Sequence, residues 1–130
     1  GEPADFVVSA RCVRVPVTDG HLVSVQVRLG GNPGPEDVRA AWLAWKPKGP
    51  RLPSSPEQLL VLREERDRPQ PRLDAPEGEG MSVVLGRLEA CPVMGIKFYA
   101  LAHNTVRGAA GAALLNAELL VATERVVRAR

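Results

Sequence analysis

The chain is poor in the residues that would announce a metal centre, a disulfide scaffold or a nucleic-acid surface. It holds two cysteines, Cys12 and Cys91, and two histidines, in 130 residues. The cysteines form no Cys-x-x-Cys pair and have no histidine cluster beside them, so neither a zinc site nor a stapled core is indicated, and no metal is expected. Charge of one sign is also lacking: 17 Lys and Arg stand against 15 Asp and Glu, interleaved along the chain, which gives no nucleic-acid-binding face. The longest apolar run, Ala109 to Ala122, is interrupted by Asn116 and Glu118. It falls short of the roughly 20 residues that a bilayer span requires. Without a signal peptide or such a span, a cytoplasmic, reducing setting is expected and no membrane partner. No Gly-x-Gly-x-x-Gly loop follows a strand pattern, so a dinucleotide cradle is missing, and there is no internal repeat. The chain begins Gly-Glu-Pro without Met, which suggests that it was processed, cut or excised.

What is present fits one soluble domain. Apolar residues make up 45% and charged residues 25% of the chain, enough for a single core and too much for a disordered segment. Phe6 to Val17 is rich in Val, and from Leu22 to Leu29 apolar and polar residues alternate with period two. With Asp19-Gly20 between them, the pattern predicts two strands joined as a hairpin, with His21 at its mouth.

Pro35-Glu36-Asp37 predicts the first turn of a short helix through about Trp45. Val38, Ala41, Trp42 and Trp45 should share its buried face. Lys46 to Glu57 carries four prolines and reads as a loop. Leu59 to Leu62, Ser82 to Leu88 and Ile96 to Ala102 read as strands. Arg66 to Asp74 alternates charges with prolines and predicts an extended, hydrogen-bond-rich loop. The last helix should start at the capping run His103-Asn104-Thr105 and continue to the terminus. It is apolar nearly all round, so it calls for burial on every side, and a second domain or subunit is implied.

Arg14 and His21 are the candidates for chemistry, seven residues apart across the turn. A guanidinium is a planar fork for a carboxylate or phosphate, and imidazole is the side chain suited to proton transfer near neutrality. On residue type and spacing alone, a structural role for His21 remains the more common outcome.

The stretch Arg14-Val15-Pro16-Val17-Thr18-Asp19-Gly20-His21 resembles the Arg-x-x-Val-x-x-Gly-His element of aspartate-β-semialdehyde dehydrogenases. Asp67 to Asp74, Gly80 to Arg87 and His103 to Gly111 with Leu115-Asn116-Ala117-Glu118 are similar, in the same order, to the archaeal and fungal branch of that family. The resemblance runs from about Val8 to Leu120. It implies an α+β fold, with a mixed or antiparallel sheet and packed helices, as part of the semialdehyde dehydrogenase dimerisation domain. Residues 1–130 would be the later part of the C-terminal catalytic and dimerisation domain, with the nucleotide-binding domain absent.

In the family the arginine binds the substrate carboxylate, the histidine is the acid/base catalyst, and a polar side chain lies near the nicotinamide. By resemblance those positions are Arg14, His21 and Asn104. The implied reaction is the reductive dephosphorylation of aspartyl phosphate to aspartate semialdehyde in amino-acid biosynthesis, with NADP bound mainly by residues outside this chain. A cysteine thiolate forms a thioester in that mechanism. Neither Cys12 nor Cys91 stands in an Asn-Cys-Thr stretch of the kind that holds the nucleophile, so the isolated chain is expected to be inactive. The final helix would pack on the nucleotide-binding domain, and a homodimer or tetramer is implied. A malonyl- or succinyl-type acyl-CoA reductase and a non-catalytic dimerisation module are the alternative readings. Glu89, where the family is usually basic, and Ala75-Pro76, where it is usually more polar, leave local contacts open.

Overall fold

The computed structural model describes residues 2–126. Its centre is a four-stranded mixed sheet in the order β1-β4-β3-β2, with β1 His21–Val27, β2 Leu60–Arg63, β3 Val83–Cys91 and β4 Gly95–Ala102. β4 runs antiparallel to both β1 and β3, whereas β2 joins β3 in parallel. Cross-strand partners share a face, and successive residues alternate between faces. Leu22, Leu101 and Val84 therefore lie on one side, and Val25 and Phe98 on the other.

Helix α1, Pro35–Ala44, packs on the Phe98 side. Pro at its first position and Glu36 and Asp37 in its first turn suit the N-terminal dipole, and Asp37 Oδ2 accepts the Gly34 N–H at 2.9 Å. The Trp42 ring meets Phe98 edge-on, with centroids 4.9 Å apart. Only part of the predicted face is covered: Val38 is buried and Trp42 half-buried, while Ala41 and Trp45 are exposed.

The opposite side is covered by the chain from Arg66 to Gly80 and by the start of the C-terminal helical region. Here the expected loop is corrected. Pro71–Asp74 forms a single helical turn, α2, followed by a 3-10 turn at Glu77–Gly80. Proline does not oppose this, because Pro71 stands at the first helical position, where its missing N–H would be unpaired anyway. The core of this side is Val61, Val84 and Leu101.

The predicted hairpin is also corrected. Phe6 to Val17 forms no strand, and β1 pairs with β4, some eighty residues on. Val17 N–H bonds to Val15 O at 2.8 Å, a tight turn centred on Pro16 that suits the fixed proline φ. The chain is deflected there before it reaches Gly20. Val7 and Val8 upstream are exposed, so no apolar cover draws the segment into a sheet. A Val-rich composition favours a strand only where a partner edge and a packed face are available.

The C-terminal helical region starts directly after the predicted capping run, with Thr105 as its N-cap, but it opens on a π-helical turn and ends earlier than predicted. Val106–Ala110 is a π-helical turn, and α3 covers Gly111–Ala122. Thr123 Oγ1 bonds back to Leu119 O at 2.7 Å, and Glu124 takes φ 55°, which ends the helix. The remainder of the predicted run, 127–130, lies outside the described residues. A Cβ on Gly111 would fall 2.2 Å from Met81 Sδ, so the glycine is what admits Met81 against this segment. Within the chain α3 buries none of its residues, and Leu114, Leu119, Leu120 and Val121 are all exposed. Among the described residues no helix is long and apolar enough to cross a membrane.

Candidate functional site

His21 is the first residue of β1, opposite Ala102 at the end of β4. The residue before it, Gly20, has φ +102°, a conformation that side chains disfavour. The site mouth is closed by one long-range bond: Gly20 N–H donates to Asn104 Oδ1 at 2.9 Å, between residues 84 apart in sequence. The structure thus brings His21 and Asn104, two of the three candidate residues, together beside Gly20. Asn104 does not cap the following helix, because its side-chain oxygen is turned to Gly20. His103 Nδ1 accepts the Val106 N–H instead, at 3.4 Å.

Arg14 is exposed in the irregular N-terminal segment. Among the described residues no hydrogen bond or ion pair ties it to His21 or Asn104. Cys12, two residues away, is exposed as well.

Cys91 sits at the other end of the sheet, paired with Gly95. It stands seven residues of β4 from Ala102, about 23 Å at the usual strand rise. Its thiol is lowered from the ordinary range by the backbone N–H groups of Met94 and Val93, yet at that distance it cannot attack a carbon that His21 serves. Two open grooves, one at Arg39, Arg63 and Arg87 and the other at Arg28, Asn32 and Cys91, contain neither Arg14, His21 nor Asn104. Among the described residues no three His, Cys, Asp or Glu side chains gather as a metal site would need.

Sequence reasoning missed what supports the mouth from below. Asp74 on α2 is 1% exposed. Its Oδ1 accepts from Arg63 Nε at 3.0 Å and from Arg68 Nη2, and its Oδ2 accepts from Arg68 Nε and Gln70 N–H, both at 2.7 Å. Arg63 also pairs with Glu77. The sequence hinted at it through the alternation of Arg and Asp over 66–74, which also describes a solvated loop, and through the family likeness of Asp67 to Asp74, which gave Asp74 no role.

Burial by itself pushes the Asp74 carboxyl up. The bonds from Arg68, Gln70 and Arg63 outweigh it and hold the group at about 2, against the usual 3.8. A carboxyl lowered on folding adds stability above its unfolded value, and that stability is lost as pH falls through the folded one. The contribution of about 2 kcal/mol should therefore fade between about pH 4 and pH 2. Urea midpoints measured from pH 5 to pH 2 should show a steep acid limb in the wild type and a shallower one in Asp74→Asn. Equal slopes would remove the carboxylate from this role.

Glu89, out of pattern in the sequence, finds its charge partner directly across the sheet. It pairs with Lys97 at 2.9 Å, and each shifts the other toward its charged form. The irregularity between Gly86 and Glu89 turns Arg87 over the Tyr99 ring, 4.8 Å from its centroid.

Residues 2–107 match the model of the semialdehyde dehydrogenase dimerisation domain. The aspartate-semialdehyde dehydrogenase of Archaeoglobus fulgidus is 51% identical over 120 residues, covering 92% of this chain and 34% of the relative. That of Methanothermobacter thermautotrophicus is 46% identical over 123 residues, covering 92% and 35%. Among solved structures, the Candida albicans enzyme determined with NADP matches with a TM-score of 0.76 at 36% identity, covering 87% of this chain and 33% of that one. The chain thus spans about a third of the length of the relatives it matches. On the fold, the ordered motifs and these likenesses, the chain belongs to the semialdehyde dehydrogenase family and carries its dimerisation domain.

Proposed function

We propose that the chain supplies the proton-transfer and substrate-binding face of an NADP-dependent aspartate-semialdehyde dehydrogenase, with the thiolate and the nucleotide-binding domain provided by residues outside it. The observation that carries this reading is the Gly20 to Asn104 bond, which sets the histidine element and the His103-Asn104-Thr105 element side by side. Relatives matched over 92% of this chain are named aspartate-semialdehyde dehydrogenase, and an aspartate semialdehyde dehydrogenase II of Vibrio cholerae, 28% identical, was solved with ASA.

In this role His21 moves the proton of the tetrahedral adduct, and Arg14 holds the α-carboxylate of the substrate. NADP, when bound, takes up or supplies the hydride. Among the described residues the chain offers that group one contact. Asn104 Nδ2 has no protein partner among the described residues, and no glycine-rich loop follows a strand to cradle a pyrophosphate. The exposed apolar side of α3 is the surface this reading assigns to the nucleotide-binding domain, and the family domain supports a homodimer.

The test is a chimera in which this chain replaces the matched third of the Archaeoglobus enzyme. It should reduce NADP in the presence of aspartate semialdehyde and phosphate, while the 130 residues alone should not. A folded chimera without turnover would reject the reading, and turnover only with an acyl-CoA would move it to the reductase alternative. In the active chimera, Arg14→Lys should raise the KM for aspartate semialdehyde about tenfold or more with a smaller change in kcat, because the bidentate fork is lost. An unchanged kcat/KM would deny Arg14 the carboxylate.

A further inference from the structure

Asp74 and Ser82 are the buried polar side chains among the described residues, and Asp74 is the charged one. Nothing in the reaction proposed above uses it. A buried ion pair is seldom the most stable choice for a core, since apolar residues of similar volume often do as well, and one attested use of such a pair is to fix one geometry.

The geometry fixed here is that of the site mouth. Asp74 ties three separate stretches together: Arg63 at the end of β2, Arg68 in the connection, and the Gln70 N–H at the start of α2. On the same turn, Pro71 and Ala75 face Gly20. A Cβ placed on Gly20 would lie 3.3 Å from Pro71 Cβ and 3.5 Å from Ala75 Cβ. The α2 turn is thus the floor on which the Gly20 backbone rests, with Asn104 holding its N–H.

The clamp cannot retreat in the other direction. A Cβ on Gly86 of β3 would lie 2.7 Å from Arg68 O and 2.8 Å from Pro69 Cδ, so the Arg68-Pro69 backbone already sits against the bare strand. The turn is wedged between β3 and the residue that precedes His21.

We propose that Asp74, through its clamp on Arg68 and Arg63, is a positioning residue for His21. It sets the Pro71–Ala75 turn against Gly20 and so fixes where the imidazole projects. This rests on the reading of His21 as the acid/base group. A misplacement of the order of 1 Å is enough to slow a proton transfer severely.

The test uses Asp74→Asn, which keeps the shape and removes the charge, and Arg68→Lys, which keeps a charge and removes the fork. In the 130-residue chain, hydrogen exchange at the Gly20 amide should quicken in either variant at least tenfold more than at the Leu101 amide in the sheet core, which reports the general loss of stability. Equal quickening at both amides would mean a general loss of stability and overturn the proposal, as would no change at Gly20. Should Asp74→Asn not fold, Arg68→Lys decides by the same comparison.

In the active chimera, either variant should lower kcat at least tenfold and leave the KM for NADP unchanged. On a His21→Ala background the same substitution should add little further loss, because the group it positions is gone. An equal loss on both backgrounds would overturn the proposal. If the wild-type chimera has no turnover, the functional reading fails, and the exchange experiment still decides whether Asp74 holds Gly20.

Discussion

Replacing His21 with alanine in the active chimera should lower kcat by roughly 10²- to 10⁴-fold, the usual worth of a positioned general acid/base. The expectation follows from the placement of the residue. His21 opens β1 at the end of the sheet, is exposed, and follows a glycine held by Asn104 from one side and α2 from the other. The imidazole therefore projects from a fixed backbone into space that other parts of the enzyme can share. The loss should fall on kcat, while the KM for aspartate semialdehyde rises little if Arg14 still holds the carboxylate. Added imidazole should restore part of the rate, since the vacated volume is open to solvent. A loss of less than tenfold with normal folding would make His21 a structural residue, the reading that its spacing alone favoured.

The parts of this fold that could be read in the sequence are those set by local rules. Pro35-Glu36-Asp37 marked the first residue of α1, period-two alternation found β1, and short apolar runs beside turn residues found β2, β3 and β4, because each of these signals lies within a few residues. What could not be read was pairing over distance. Asp19-Gly20 is a sound hairpin signal, yet the chain had already turned at Pro16, and β1 took β4 as its neighbour. The Asp74 clamp was hidden for the same reason. Whether an Arg next to an Asp is a solvated pair or a buried one depends on whether a bare strand position such as Gly86 lets the backbone come close.

The site divides in the same manner. Motif order picked out Arg14, His21 and Asn104, but not that Asn104 spends its oxygen on Gly20, a bond between stretches 84 residues apart. Arg14 remains legible only as a motif, since among the described residues nothing in its surroundings fixes its direction.

Leu101→Ala should be the most damaging single change to the stability of the chain, at about 2–5 kcal/mol. Leu101 has no exposed surface, lies between Leu22 of β1 and Val84 of β3, and forms the core with Val84 and Val61. A domain of this size has only about 5–15 kcal/mol in total, so a large part of its stability would go, readable as a fall in the urea midpoint. The same side chain reaches the site, with Cδ1 3.0 Å from where a Cβ on Gly20 would stand. Gly20→Ala should accordingly be costly in the wild type for two reasons, the φ of +102° and this close contact. In the Leu101→Ala background only the second reason is relieved, while Pro71 at 3.3 Å and the backbone strain remain. The double variant should therefore be more stable than the sum of the two single losses, by up to about 1 kcal/mol. Strict additivity would mean that Leu101 and Gly20 do not press on each other, and the sheet core would then have no direct hold on the residue that aims His21.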